Sequence, residues 1–348
     1  MSQQMINHRG PEFRQLIDGL TDKLSRIYMT SGKVYILTAS GTGALEAAVV
    51  NTLSPDDKVL AVSIGYFGDR FADIARIYRT NVTKLEFEWG TPADPEVIRK
   101  ALQDDPGIKA VLVTHNETST GITNDLESIA KVVKGEFGKL LLVDAVSSLG
   151  CVPLNTDQWQ CDVVSTASQK GLMVPPGLSF ASVSDRGWEA YKESTMPRYY
   201  LDLGSAHRYL DRGQNPFTPN VALLYGLDVA LDMMLDEGME SVYQRHHEIA
   251  DFTRAGVQKL GLTLLADDAH ASDTVTAINN PEGVDCGALV EMMRTEHSVV
   301  LAAGQGPLQG KIFRIGHMGL VTREDIQEVL NALETSLTKL GYQLVPSN

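Results

Sequence analysis

The feature that most constrains the fold is a regular alternation, between residues 33 and 185, of short apolar runs and amphipathic stretches. We predict strands for six of the runs: residues 33–38, 58–63, 82–87, 109–114, 139–146 and 162–168. We predict helices between them, at residues 43–53, 71–78 and 126–137. Most of the runs are continuously apolar, as expected of strands that are covered on both faces. The alternation therefore predicts an α/β fold around a mostly parallel sheet.

The pattern changes in the last third of the chain. A long helical region is predicted over residues 220–260. Further strands and helices are then predicted at residues 262–266, 273–279, 285–296, 298–303 and 311–317 and from about 323 onward. This mixture is typical of a small α+β domain. Because 348 residues exceed one ordinary core, we predict a large α/β domain at residues 1–236 and a small C-terminal α+β domain at residues 237–348.

Charge and cysteine content restrict the partners and the location. Thirty Lys and Arg face forty-four Asp and Glu, a net charge of −14, which disfavours nucleic acids and anionic membranes as partners. Cys151, Cys161 and Cys286 are odd in number and form no C-x-x-C motif, so we expect neither a disulfide framework nor a zinc site. No apolar run approaches membrane-spanning length, and residues 1–13 lack a signal-peptide core. We therefore expect a cytoplasmic protein.

A short glycine-containing turn follows the first predicted strand. In the stretch TASGTGALEAA, Ser40, Gly41, Thr42 and Gly43 would form a tight turn that opens a helix. The exposed N–H groups and the positive dipole end of a helix favour phosphate binding, and a plain helix cap is the alternative. A dinucleotide site is less well supported, because Glu46 stands where its third glycine belongs.

Two charged residues follow neighbouring predicted strands. Asp144 ends the apolar run LLLVD, and Lys170 follows the run that begins at Asp162. Ligands bind at the carboxyl edge of open α/β sheets, so both side chains would face one cleft. The alternatives are a helix-capping aspartate and a lysine that reaches solvent. A lysine, a carboxylate and a phosphate cradle are the three groups that pyridoxal phosphate requires.

The chain resembles the class V, fold-type I pyridoxal-phosphate aminotransferases, in particular the alanine–glyoxylate and serine–pyruvate group. The motifs that carry the resemblance occur in the family's order: HRGPEF (8–13), SGTGALEA (40–47), THNETSTG (114–121), LLVDAVSSLG (141–150), STASQKGLMVPPGLSF (165–180), FTP (217–219) and FRIGHMG (313–319). The resemblance implies a large domain with a mostly parallel seven-stranded sheet and a small C-terminal domain. It also implies pyridoxal 5′-phosphate as cofactor and no metal.

The resemblance assigns cofactor contacts to the matching residues. Lys170 would carry the Schiff base, and Asp144 would bond to the pyridinium nitrogen. The resemblance also implies phosphate contacts for Ser40, Gly41, Thr42 and Gln169, ring packing for Phe67 and Val146, and a contact near the ring hydroxyl for Thr118.

The substrate side and the quaternary structure are also implied by the resemblance. Arg314 would bind the substrate carboxylate, for which a guanidinium fork is suited. Thr218 would reach the phosphate of a neighbouring subunit, which implies a homodimer with active sites at the subunit interface. The implied reaction is a ping-pong transfer of an amino group between a small amino acid, alanine or serine, and a 2-oxo acid, glyoxylate or pyruvate.

The sequence departs from the family pattern at two places. Relatives usually carry a Gly–Pro-rich arm before the HRGPEF motif, and we expect this arm to be shortened, because the sequence begins close to the motif. Close relatives often have a tyrosine three residues before the phosphate-contacting threonine. Asn215 stands at that position, so we expect one weaker phosphate contact.

Two other functions remain as alternatives. A lyase such as a cysteine desulfurase would need a mobile cysteine before Arg314, and that segment contains none. A non-catalytic subunit could keep the fold, although Lys170 and Asp144 argue against it. Adjacent His246 and His247 would not share a helix face, so we expect a solvated helix rather than a metal site. We predict that the glycine-rich stretch 297–310 is a loop near the cleft.

Overall fold

The computed structural model describes residues 4–343. Its strands are β1 (Val34–Leu37), β2 (Lys58–Ser63), β3 (Asn81–Glu86), β4 (Ala110–Thr114), β5 (Asn116–Glu117), β6 (Ile122–Thr123), β7 (Leu140–Asp144), β8 (Val163–Ala167), β9 (Ser179–Val183), β10 (Val275–Asn279), β11 (Ala302–Ala303) and β12 (Ile312–Gly316). Its α-helices are α1 (Pro11–Ile27), α2 (Gly41–Thr52), α3 (Tyr66–Ile77), α4 (Pro95–Asp104), α5 (Leu126–Ala130), α6 (Asp185–Glu193), α7 (Leu203–Leu210), α8 (Val221–Glu237), α9 (Met239–Lys259), α10 (Cys286–His297) and α11 (Arg323–Lys339).

A seven-stranded sheet forms the centre of the molecule, in the order β1-β9-β8-β7-β4-β2-β3. The pairs from β8 to β3 are parallel, and β9 alone runs antiparallel to both of its neighbours, β1 and β8. The predicted mostly parallel α/β sheet is therefore confirmed. Because β9 reverses direction once, β1 is parallel to β8, and their carboxyl ends lie at the same edge.

Helices cover both faces of this sheet. Alternate residues of β2 belong to different hydrophobic clusters: Leu60 and Val62 pack on one face, and Val59 and Ala61 on the other. The first cluster includes residues of α1, α4 and α8, and the second includes residues of α2, α3 and α7. Burial on both faces explains why the strands have continuous apolar sequences rather than alternating ones.

The C-terminal part contains a second, antiparallel sheet, in the order β10-β12-β11. Its core is a third hydrophobic cluster, which includes Ile278, Leu289, Phe313 and Leu333. The predicted domain boundary between residues 236 and 237 falls in the last turn of α8, before Gly238 begins α9 with a φ of 85°. The division into domains at this point stays a prediction.

Several predicted elements differ from those in the structure. The run 262–266 forms only one bridge, between Leu264 and Ile278, and the run 298–303 contributes only β11. The helix predicted at 126–137 is a short α-helix, α5, followed by a π-helix at Lys131–Glu136. The sequence interpretation missed β9, whose Ser and Ala residues do not form an apolar run although all five are buried. No helix within residues 4–343 has the length and apolar composition needed to cross a membrane.

Candidate active site

The carboxyl edge of the large sheet brings three separate segments together. Asp144 ends β7 and lies in register with Thr114 of β4 on one side and Ser165 of β8 on the other. Lys170 follows the end of β8, and the chain leaves β1 to begin α2 at Gly41. The parallel direction of these strands places all three segments at one edge, as the sequence predicted.

A cavity of about 360 Å³ lies at this edge. Its lining residues are Ser40, Gly41, Thr42, Leu45, Phe67, Arg70, Asn116, Thr118, Asp144, Val146, Ser147, Gln169 and Lys170. Nine of the eleven residues to which the sequence analysis gave a role are in this set, and Arg314 and Thr218 are not. Nine of the thirteen lining residues have polar or charged side chains, which suits a charged ligand.

Asp144 is a nearly inaccessible carboxylate, 4% exposed, in the cavity lining. Its Oδ1 accepts a hydrogen bond from the backbone N–H of Val146 at 2.9 Å. Burial raises the pKa of Asp144 to about 7, and the Val146 hydrogen bond opposes the rise. The nearby charge of Glu117 raises this pKa further, while Arg70 and Lys170 lower it. A cationic N–H donor bound in the cavity would stabilise the ionised form.

Lys170 lines the same cavity and is partly buried. Burial lowers the pKa of its ammonium group, and the positive charge of Arg314 lowers it further, against the opposing effects of Asp144 and Cys151. Lys170 and Asp144 each shift the pKa of the other, but they form no direct salt bridge in the described part of the chain. A lowered pKa increases the fraction of neutral amine, which is the form that reacts with carbonyl groups.

The first turn of α2 provides an open anion-binding end. Ser40 is its N-cap residue, yet the Ser40 hydroxyl makes no capping hydrogen bond to the helix and is exposed. The first turn contains no acidic side chain. Unpaired N–H groups and the helix dipole at such an end favour a phosphate. Gln169, which is also exposed, lines the cavity together with Ser40 and Thr42.

Close packing fixes the position of this helix end. A Cβ atom added to Gly41 would lie 2.8 Å from Cγ2 of Val146 and 3.2 Å from Cβ of Ala167. Glycine at position 41 therefore lets α2 approach the ends of β7 and β8. Phe67, in the first turn of α3, provides an aromatic side chain to the cavity, and Val146 provides a branched apolar one.

Arg314 lies on β12, outside the cavity lining, and is 8% exposed. Its Nη1 donates to the backbone oxygen of Thr118 at 2.6 Å, and its Nη2 donates to the backbone oxygen of Ala303 at 2.8 Å. Its Nε is buried without a hydrogen-bond partner in the described residues. Burial lowers the pKa of the guanidinium group. The two carbonyl contacts connect Arg314 to the cavity wall at Thr118.

The remaining predicted residues lie at the periphery. Thr218 is exposed and outside the cavity. The Asn215 side chain donates from Nδ2 to the backbone oxygen of Ile36 at 3.0 Å, which holds its segment against β1. The stretch 297–310 is mainly loop, and Ala303 within it accepts a hydrogen bond from Arg314.

Four lining residues were missed by the sequence interpretation: Leu45, Arg70, Asn116 and Ser147. Asn116 and Ser147 form a buried network, in which Asn116 Nδ2 donates to Ser147 Oγ at 2.8 Å and Ser147 Oγ donates to the Asn116 backbone oxygen at 2.8 Å. Their position directly after β4 and β7 was the available signal. Arg70 lies over the Phe67 ring, with Cζ 4.9 Å from the ring centroid.

The cysteines and histidines, which the sequence analysis considered for lyase chemistry and metal binding, are not among the residues that line the cavity. All three cysteines are buried, and burial raises the pKa of the Cys151 thiol, whose charge affects Lys170, to about 12. Such a thiol is a poor nucleophile. His246 is buried and bonded to Val242 and Gly319, whereas His247 is exposed and faces Asp273. No cluster of three or more metal-binding side chains occurs in residues 4–343.

Comparison with known proteins gives consistent results over nearly the whole chain. The family model described as aminotransferase class-V matches residues 2–329. The chain is 44% identical to a protein of Synechococcus sp. named soluble hydrogenase, small subunit, over 97% of this chain and 88% of the relative. It is 37% identical to serine–glyoxylate aminotransferase of Methylorubrum extorquens, over 100% of this chain and 89% of the relative.

A solved structure is similarly close. The structure of pyridoxamine–pyruvate aminotransferase from Mesorhizobium loti matches with a TM-score of 0.94 and 35% identity, over 99% of this chain and 88% of that chain. The match therefore spans the segments that line the cavity, the large sheet and the C-terminal sheet.

Proposed function

The chain belongs to the class-V aminotransferases, and we propose on this premise that it transfers an amino group between serine or alanine and glyoxylate or pyruvate. The family's cofactor is pyridoxal 5′-phosphate, and the chain is an aminotransferase. One observation carries the proposal for this chain: Lys170, Asp144 and the open first turn of α2 share one cavity of about 360 Å³. The choice of substrates is supported by the names of the serine–glyoxylate and pyridoxamine–pyruvate relatives.

The donor set of the cavity fits the cofactor. The phosphate would bind to the N-terminal end of α2, where the Ser40 hydroxyl is not engaged in capping. Asp144 would accept a hydrogen bond from the ring nitrogen, a contact that offsets the cost of its burial. Phe67 and Val146 would pack on the ring, and Thr118 would lie near its hydroxyl group.

The reaction requires a reactive amine and a fixed counter-charge. Bound pyridoxal 5′-phosphate supplies an aldehyde and a ring that accepts electrons from the substrate α-carbon. Lys170 Nζ would hold the cofactor through its aldehyde group. As a free amine it would accept the proton that the substrate α-carbon loses and give it up again as the amino group is transferred. The lowered pKa of Lys170 suits both tasks, because each requires the neutral amine. The Asp144 carboxylate would keep the proton on the ring nitrogen.

Arg314 is the proposed contact for the substrate carboxylate. A buried guanidinium group binds a carboxylate through two parallel hydrogen bonds, which orients the α-carbon. The backbone contacts to Thr118 and Ala303 hold the side chain in place, and Nε remains without a partner in the described residues. Both the amino acid and the 2-oxo acid carry this carboxylate, so one arginine would serve both half-reactions.

We also propose that two copies of the chain form a homodimer in the cytoplasm. Thr218 is exposed and is not among the residues that line the cavity of its own chain, so its implied phosphate contact would come from a second subunit. Tyr199 is 82% exposed and packs near Phe217, with ring centroids 5.6 Å apart. An exposed aromatic group beside Thr218 is the kind of surface that dimerisation covers.

A second candidate function is that of a non-catalytic subunit, and the name of the Synechococcus relative favours it. The experiment that separates the two is a spectral titration of the purified protein loaded with pyridoxal 5′-phosphate. Serine or alanine should convert the visible absorbance band to the aminated cofactor band, and glyoxylate or pyruvate should restore it. Cofactor binding with no response to any member of an amino-acid panel would support the subunit function instead.

The same titration addresses the lyase alternative. Cysteine added to a desulfurase together with a thiol reductant would yield alanine and free sulfide, and both products are measured directly. The buried Cys151, Cys161 and Cys286 argue against that reaction.

A further inference from the structure

Glu117 is a fully buried carboxylate, 0% exposed, next to the cavity residue Thr118. Four donors converge on its two oxygens. The backbone N–H groups of Phe67 and Gly68 both donate to Oε2 at 3.0 Å. The backbone N–H and the hydroxyl of Ser119 donate to Oε1 at 3.1 Å and 2.6 Å. Four donors on two oxygens favour the ionised carboxylate, which accepts hydrogen bonds and donates none.

These contacts cap helix α3 from outside the helix. Its N-cap residue, Gly65, has no side chain to bond with the free N–H groups of the first turn. Ser119 Oγ accepts from the Tyr66 N–H at 2.9 Å, and Glu117 accepts from the next two N–H groups. The turn at residues 117–119 therefore satisfies the first three N–H groups of a helix about fifty residues earlier in the chain.

The close fit at Gly65 shows that the two segments are matched. A Cβ atom added to Gly65 would lie 2.5 Å from Cγ of Glu117 and 2.5 Å from Oγ of Ser119. Any larger residue would push α3 away from the turn. Glycine at position 65 and glutamate at position 117 are thus parts of one contact.

We propose that Glu117 is a positioning residue that holds Phe67, Thr118 and Arg314 in one fixed frame around the cofactor. Glu117 binds the backbone of Phe67 directly and precedes Thr118, whose backbone oxygen accepts from Arg314 at 2.6 Å. The frame thus joins α3, the turn after β4 and strand β12. The inference rests on the proposed function, in which Phe67 packs on the cofactor ring and Arg314 binds the substrate carboxylate.

The charge of Glu117 does not by itself help the reaction. Its negative charge raises the pKa of Asp144 and so opposes ionisation of the carboxylate that would bind the ring nitrogen. Burial raises the pKa of Glu117 itself, and its four hydrogen bonds oppose that rise. The charge of Glu117 is unfavourable for the ionised form of Asp144. We therefore infer that Glu117 contributes to cofactor binding through the geometry that it imposes. The charge of Glu117 should weaken cofactor binding and the geometry that it imposes should strengthen it, so a variant that removes both shows which one dominates.

The test is Glu117→Gln in the cofactor-loaded enzyme. Glutamine has the same shape, but one of its oxygens is replaced by an NH₂ group, which cannot accept from two of the four donors. We expect the dissociation constant for pyridoxal 5′-phosphate to increase about 10- to 100-fold, because hydrogen bonds to a charged group are lost. We also expect a weaker circular dichroism band from the bound cofactor, since the Phe67 ring is no longer fixed.

Asp162→Asn is the matched control. Asp162 is another buried carboxylate, 1% exposed, that accepts from a backbone N–H and a serine hydroxyl and is also paired with Lys134, but it lies at the opposite end of the sheet. Its variant should lose stability with an unchanged cofactor dissociation constant and dichroism band. If Glu117→Gln behaved like this control, the inference would be wrong.

Ser119→Ala provides a second route if Glu117→Gln does not fold. This variant removes one donor to Glu117 and the acceptor for the Tyr66 N–H, and keeps the carboxylate. We expect a smaller effect of the same kind, about 3- to 10-fold in the cofactor dissociation constant. A wild-type constant and dichroism band in this variant would overturn the inference. A wild-type protein that binds the cofactor but fails the spectral titration would instead contradict the proposed function.

Discussion

Two lysine–aspartate combinations lie at opposite ends of the neighbouring strands β7 and β8 and differ in how the two charged groups are paired. At the amino end of β8, Lys134 Nζ contacts Asp162 Oδ2 at 2.5 Å, and both side chains are buried. At the carboxyl end, Lys170 and Asp144 line the same cavity without a direct salt bridge between them. In the first combination, which we call closed, the two charged groups touch each other. In the second, which we call open, they are separated by cavity space that a ligand can fill.

The two aspartates also differ in their number of hydrogen bonds. Asp162 accepts from Lys134, from the Leu141 N–H at 2.8 Å and from the Ser184 hydroxyl at 2.8 Å. Asp144 accepts from the Val146 N–H and carries a pKa raised to about 7 by burial. Removing one partner of a fully paired buried charge destabilises the fold, whereas a buried charge that lacks partners is costly until a ligand supplies the missing one. A lysine and an aspartate are therefore a structural ion pair at the amino edge of the large sheet and the proposed reactive groups at its carboxyl edge.

The largest expected effect is on the rate of transamination, and it distinguishes Lys170 from Lys134. Lys170→Met should lower the rate of transamination by about 10²- to 10⁴-fold, because the amine that moves the proton is lost. Borohydride should no longer attach the cofactor covalently to the protein, as measured by mass spectrometry. Lys134→Met is the matched control, and it should keep the covalent attachment. Equal loss of activity per folded enzyme in both variants would remove the functional distinction between the two sites.

The next effect separates the two aspartates by stability. Asp162→Asn should reduce the free energy of unfolding by about 3–5 kcal/mol, because it leaves the Lys134 ammonium group buried without its carboxylate. Asp144→Asn should leave the stability of the cofactor-free protein unchanged or increase it, because it removes a poorly paired buried charge. Urea unfolding of both variants measures this difference. A similar loss of stability in the two variants would contradict the contrast.

The sequence was sufficient to predict that Lys170 and Asp144 meet at one edge of the sheet, but not that Lys134 and Asp162 form a buried ion pair. Asp144 and Lys170 each follow an apolar strand, and the parallel direction of those strands brings them to one edge whatever the details of packing. The contact between Lys134 and Asp162 depends on a π-helix at Lys131–Glu136, which periodicity did not indicate. Asp162 itself was interpreted only as the first residue of a strand.

Glu117 and β9 were missed for a related physical reason. Glu117 acts on a helix about fifty residues away, and a carboxylate in a polar segment gives no local sign that it will be buried. Strand β9 consists largely of small residues, and the turn Pro175-Pro176-Gly177 before it suggested a loop. Its position between β1 and β8 depends on non-local pairing, which a pattern read along the chain does not contain.

The smallest expected effect, taken per pH unit, is a change in the slope of stability against pH that comes from Asp144. The folded-state pKa of Asp144 is raised to about 7, above its value in the unfolded chain, about 3.9. Between these values the folded protein binds more protons at Asp144 than the unfolded chain does, so the contribution of Asp144 to stability is greatest below about pH 4 and falls as the pH rises toward 7. The contribution of Asp144 should approach about 1.4 kcal/mol per pH unit in that window. Unfolding of the cofactor-free protein and of Asp144→Asn across this range measures it as the difference in slope. Bound pyridoxal 5′-phosphate should reduce that difference, because a protonated ring nitrogen stabilises the carboxylate. Identical slopes for the two cofactor-free proteins would show that Asp144 is as well paired as Asp162.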